Sequence, residues 1–205
     1  MNKFTKNVAS AILILATLFS CISLTSCDMI FPQGNGNDEP SNIIESENID
    51  VELSISDCKY APETATYRNF ANGVVIKGSS VYWEPGTTIG YHVKVSNTGS
   101  LAISYVLSIT AMNEVSKIAD VIDVYIATPA TKVETREQVN DFEKLGTLSE
   151  VLAGSAIVAK GGLLFAENST FTVVFKMQES AGNEYQNVYL DADISFKLVA
   201  SQKTM

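Results

Sequence analysis

The chain has 205 residues, 46% of them hydrophobic and 18% charged, and a formal net charge of −9. Such a balance can bury a core, unlike the weakly hydrophobic, highly charged composition of a disordered chain. The acidic excess works against binding to phosphate backbones, so nucleic acid is not an expected partner.

At the N-terminus, Lys3 and Lys6 precede an apolar run from Val8 to Leu24 whose polar interruptions are only Ser and Thr. This order of basic, apolar and small residues predicts a signal peptide over 1–26 and not a membrane span. Its end, Leu24-Thr25-Ser26-Cys27, resembles the lipobox of bacterial lipoproteins. The resemblance implies cleavage before Cys27 and lipid on its sulfur. Two or three acyl chains, at about 0.8 kcal/mol per buried methylene, give stable anchoring, so a membrane is the expected partner of Cys27. The expected location is the outer surface of an exporting cell. Residues 27–48 are rich in Asn, Gly, Pro, Ser and acid, and such composition predicts a flexible tether.

Residues 49–205 leave room for one domain of roughly 150 residues. Val51, Leu53 and Ile55 alternate with polar residues, as a half-buried strand requires. Val74 to Val81 reads as a shorter strand. Ile89, Tyr91, Val93 and Val95 alternate again, and Asn97-Thr98-Gly99-Ser100 then predicts a hairpin turn into a returning strand over Leu101 to Ala111. Val121 to Ile126 is nearly all apolar, which fits a strand buried on both faces. Thr135 to Phe142 predicts a short helix, and Thr147 to Gly154 a second, closed by Gly. Phe171 to Met177 and Leu190 to Leu198 give the firmest alternation in the chain. Seven or more strands with a short helical insertion, and no recurring alternation of strand and helix, predict an all-β sandwich of jelly-roll or Greek-key type.

Only Cys58 among the three cysteines belongs to the domain, so an internal disulfide is excluded and hydrophobic burial must hold the fold. Cys58 reads as a buried thiol; as a nucleophile it would need a histidine, and the only one is His92. Trp83, in Tyr82-Trp83-Glu84-Pro85-Gly86, reads as a core anchor at the corner made by Pro85 and Gly86, with an aromatic ligand platform as the alternative.

Five segments, in one order, resemble a known family: Val81 to Gly86, Val93 to Ile103, Val121 to Tyr125, Gly146 to Gly154, and Phe175 to Asn187. Together they resemble the TasA/camelysin-like proteins of Gram-positive bacteria over about Ile49 to Lys203. The resemblance implies a jelly-roll sandwich and biofilm matrix fibre subunits, with one branch named as a metallo-endopeptidase. The lipobox departs from the family, whose signals are cleaved ahead of an aromatic and acidic stretch. In family fibres an N-terminal segment of one subunit completes the sheet of the next. A lipid on that segment would obstruct growth by that route.

A zinc peptidase of the common kind needs two histidines four apart with a glutamate between them, and one histidine cannot supply this. His92 falls on the polar side of its strand, where solvent is its expected surrounding. The remaining candidates for a hard cation such as calcium are carboxylates: Asp120 with Asp123, and Asp191 with Asp193, which share a face if their segment is extended. Asp123, in an apolar run, is equally suited to a buried hydrogen bond. No phosphate-binding glycine loop and no Gly-x-Ser-x-Gly elbow is present. The sequence therefore points to a non-enzymatic surface protein without a cofactor, which associates with itself or with matrix or envelope proteins. A metallo-endopeptidase and a calcium- or glycan-binding module are the alternatives.

Overall fold

The computed structural model describes residues 49–70, 73–154, 156–185 and 188–203. The predicted signal peptide, the tether and Cys27 lie outside the described residues.

The described residues form two antiparallel sheets packed as a sandwich. The six-stranded sheet runs β2 (Arg68–Asn69), β1 (Val51–Asp57), β4 (Thr88–Asn97), β9 (Asn168–Met177), β6 (Ile122–Ala127), β7 (Glu143–Thr147). The four-stranded sheet runs β3 (Val74–Ile76), β10 (Ile194–Gln202), β5 (Ile103–Ala111), β8 (Ile157–Leu163). Among the described strands only β1 to β2 and β6 to β7 follow one another within one sheet; every other step crosses to the opposite sheet. Such interleaving belongs to sandwiches of the Greek-key and jelly-roll kind.

The alternating residues meet between the sheets. Phe175, Val93 and Val95 from one sheet and Phe196, Leu107 and Ile109 from the other lie in one buried cluster. Rings meet at angles that aromatic quadrupoles favour: Phe70 and Phe196 are edge-on at 6.5 Å, and Tyr105 and Phe171 are tilted at 6.3 Å. Gly161 on β8 makes room for this packing, because a Cβ there would stand 3.0 Å from the Tyr105 hydroxyl.

The insertion over Thr147 to Gly154 is a helix, α1 (Leu148–Ala153), which buries Leu148 and Val151. Its start is a capping box. Thr147 Oγ1 accepts from Glu150 N at 3.2 Å, and Glu150 Oε2 accepts from Thr147 N at 2.8 Å. The segment Thr135 to Phe142 holds a 3-10 turn, Arg136–Asp141, with its own box between Thr135 and Gln138.

Three expectations are corrected. The turn Asn97 to Ser100 does not close a hairpin, because β4 pairs with β1 and β9 while β5 pairs with β10 and β8. The Asn97 side chain explains the crossing. Its Nδ2 donates to the carbonyls of Leu101 (2.7 Å), Leu163 (3.3 Å) and Leu164 (3.1 Å), and its Oδ1 accepts from Gly99 N (3.1 Å). One buried amide thus ties the β4–β5 arch to the β8–β9 arch. The last strand begins at Ile194 and not at Leu190, since Asp191 has φ of +62°, a left-handed conformation that breaks extension. The strand expected to reach Val81 stops at Ile76, where Gly78 passes so close to Ala192 that a Cβ would stand 2.5 Å from its carbonyl oxygen.

Candidate functional site

Three of the groups singled out for chemistry, Cys58, His92 and Asp123, lie on the outer face of the six-stranded sheet. On an exposed sheet this face would be solvated. Here residues 58–67 and 128–142 fold over it and make a second, smaller apolar cluster of Cys58, Val133, Val139 and Val174, with Tyr125 and Phe142 against it. Backbone bonds hold the two loops to each other and to β9: Val133 N donates to Cys58 O at 2.9 Å, and Ala130 N to Thr170 O at 3.1 Å.

His92 is therefore fully buried, not solvated as its strand position implied. Its Nε2 lies 2.8 Å from the Tyr60 carbonyl, which can only accept, so Nε2 carries the hydrogen. Its Nδ1 lies 3.0 Å from Thr172 Oγ1 on the neighbouring strand. The same hydroxyl accepts from Thr131 N at 2.7 Å and lies 2.9 Å from Thr131 O, so its single hydrogen is shared between Nδ1 and that carbonyl. His92 and Thr172 thus latch one loop each. The Lys94 ammonium, 4.5 Å over the Tyr67 ring, holds the first loop further along the same face.

Cys58 is a buried free thiol beneath a cleft of about 600 Å³ whose lining includes Asp57, Lys59, Gly90, Lys132, Glu134 and Arg136. Burial, and secondarily the Asp57 carboxylate, push the thiol up to about 11, far from the thiolate that nucleophilic attack requires. Both imidazole nitrogens of His92 are already engaged by Tyr60 and Thr172. Gly90 gives the sulfur its space: a Cβ there would stand 2.6 Å from Cys58 Sγ. On the rim, the hydrogen bond from Lys132 holds the Glu134 carboxyl below its usual range.

Asp123 is buried on the same face, and its carboxylate is internally engaged. Its Oδ1 accepts from Lys144 Nζ and from Gln178 Nε2, both at 2.9 Å. Donating to Asp123 in turn raises the Lys144 ammonium above its usual range. Asp120 is exposed in the 3-10 turn Lys117–Val121 that precedes β6. Asp191 and Asp193 do not share a strand face. Asp191 is left-handed outside β10, and Asp193 Oδ1 accepts from Gly78 N at 2.9 Å. Among the described residues no three His, Cys, Asp or Glu side chains gather in a way that could hold a metal ion.

Trp83 is buried in the main core, and its Nε1 has no hydrogen-bond partner among the described residues. The corner after it is a turn with Pro85 at the second position and Gly86 at the third. Gly86 has φ of +84°, as a type II turn demands, and Thr87 N donates to Glu84 O at 2.8 Å. Gly99 needs no such freedom; its N–H serves the Asn97 side chain and Asp50 O.

The sequence reading missed β2, β7 and β8, as well as the loop cover itself. Strand β8 had a signal in Ile157-Val158-Ala159, broken by Lys160-Gly161-Gly162. Nothing in the sequence spacing pairs residues 58–67 with 128–142. Among the described residues no helix is long and apolar enough to cross a membrane.

No family model matches the chain, and no curated protein matches it. Among solved structures, an ASH/PapD-like domain of human CEP192 (PapD-like domain 7) aligns over 89% of this chain and 97% of its own, at 10% identity and a TM-score of 0.24. At that score the likeness carries no argument about function.

Proposed function

We propose that this chain is an exported lipoprotein, held at the membrane surface through Cys27, whose sandwich has a non-enzymatic structural or interaction role in the cell envelope or biofilm matrix. One observation supports the non-enzymatic part: the thiol, imidazole and buried carboxylate that could do chemistry are all committed inside the fold. Cys58 sits protonated in an apolar cluster, His92 is bonded at both nitrogens, and Asp123 is paired with Lys144 and Gln178. The anchoring part draws on Leu24 to Cys27, and the matrix role on the family resemblance.

Labelled palmitate fed to the producing cells tests the anchor. The label is expected on the intact protein and absent from a Cys27→Ala variant. Equal labelling of both would overturn the lipid assignment. Chelator-sensitive cleavage of casein by clean protein would overturn the non-enzymatic part.

A further inference from the structure

Sheet edges are where strands from another chain can add, and folded proteins usually blunt them. Three of the four edges here are blunted. Strand β2 has two residues, β3 has three, and β7 has five with charged Glu143 and Lys144 and a register shift against β6. The fourth edge, β8, is seven residues long; it carries one charge, Lys160, and shifts register against β5 only at its start, so Ala159 to Leu163 runs regular, and among the described residues it pairs on one side only, with β5. Large apolar side chains stand exposed at its two ends: Ile157 is 39% exposed at the start, and Leu164 and Phe165 are 57% and 65% exposed just past the finish.

Charge singles out the same sheet. The chain carries −9, so two copies repel across most of their surfaces. Strands β3, β5, β8 and β10 contain no Asp or Glu at all, whereas the six-stranded sheet carries Glu52, Asp57, Asp123 and Glu143. The open edge thus belongs to the sheet whose strands carry no carboxylate; Glu167, whose Oε2 accepts from Leu164 N at 2.8 Å, lies beyond the end of β8.

We infer that β8 is a self-association edge, at which two copies pair antiparallel about Gly161 and join their four-stranded sheets into one. The register follows from the side chains. Centring on Lys160 would set two ammonium groups directly opposite, which is unfavourable. Centring one residue later sets each Lys160 opposite the other copy's Gly162, which has no side chain to obstruct it. Both positions lie on the outer face, since Lys160 pairs with Val106 and Gly162 with Ser104 within the sheet. The same register sets Ala159 opposite Leu163 and brings each exposed Ile157 to the Leu164–Phe165 corner of the other copy. The contact is isologous, so each of these pairs occurs twice and the dimer closes. This inference deepens the interaction role proposed above and rests on it for its setting.

Cysteine pairing tests the register on the purified full-length chain in mild detergent. Directly opposite positions are close enough for a disulfide, while diagonal ones are too far apart. Under mild oxidation a mixture of Lys160→Cys and Gly162→Cys chains is expected to yield covalent dimer, and either variant alone little. Phe165→Glu, at an exposed position and with unchanged circular dichroism, should lower the cross-linked yield by about tenfold or more. Ile157→Glu serves as a second such variant. No cross-linking, equal cross-linking in all three samples, or indifference to both glutamates would overturn β8 pairing. Palmitate labelling is unaffected by these results, so a failure of β8 pairing and a failure of lipid anchoring are distinguishable.

Discussion

On one side of β9, Phe171, Val173, Phe175 and Met177 enter the cluster between the sheets; on the other, Thr172, Val174 and Lys176 lie buried beneath two loops. Both sides are dry, but they are kept dry by different means. The inner side is sealed by apolar area, which is non-directional and tolerates small shifts. The outer side holds few apolar groups and is sealed by directed bonds: His92 to Tyr60, Thr172 to Thr131, and Lys176 Nζ to Asn140 Oδ1 at 2.9 Å. Directed bonds in a dry setting must all be made, because an unmet polar group there costs more than a met one contributes. The loops should therefore open as a unit while the sandwich stays closed.

The largest effect expected is from Phe175→Ala, which empties the inter-sheet core. It should cost about 3–5 kcal/mol by urea denaturation and raise the reactivity of Cys58 only through global unfolding. His92→Ala should cost less, about 2 kcal/mol, since it strands the Tyr60 carbonyl and weakens the Thr172 latch. Its distinctive sign is local: Cys58 should react with a thiol reagent faster than the change in global stability accounts for. If His92→Ala changes both in proportion, the two faces are one cooperative unit and the distinction drawn here fails.

Gly90→Ala should cost about 1–2 kcal/mol, because the added methyl meets Cys58 Sγ. Combined with Cys58→Ala, most of that loss should return, and a double-mutant cycle measures the coupling. Additive losses would mean that the strain falls on Val174 instead. The smallest effect is a pH dependence. The Cys58 thiol is raised from 9.0 to about 11, so the folded state holds this proton more tightly than the unfolded chain. The resulting stability is fully present below pH 9 and is lost as pH rises through about 11. Cys58→Ala should remove that part of the alkaline slope and leave the rest.

The sandwich was legible because one-sided burial writes a period of two, and Val51 to Ile55, Ile89 to Val95 and Phe171 to Met177 carry it openly. The outer cover was not. Once loops dry the opposite face, residues such as His92 and Thr172 remain polar because they are bonded, and sequence does not distinguish a bonded polar residue from a solvated one. The pair Asp191 and Asp193 misled for a local reason: alternation continued through Leu190 and Ala192 although φ at Asp191 had already turned the chain. Strand β8 was hidden by Gly161 and Gly162, whose missing side chains serve tertiary packing against Tyr105 and remove the strand signal at the same time.

The position of the last strand sets when this domain can exist. Strand β10 lies between β3 and β5, so the four-stranded sheet has a gap at its centre until residues 194–202 arrive. Strand β9 likewise arrives late between β4 and β6. Among the described strands, a chain emerging from its N-terminus can therefore make four of its eight pairs, β1–β2, β1–β4, β5–β8 and β6–β7, before β9 begins at residue 168, and neither sheet is whole at that point. Topology of this kind folds in milliseconds to seconds and not in microseconds. For a chain proposed to be exported, sheets that close only with their last strands leave the earlier part of the chain without a finished sandwich until β9 and β10 have been made.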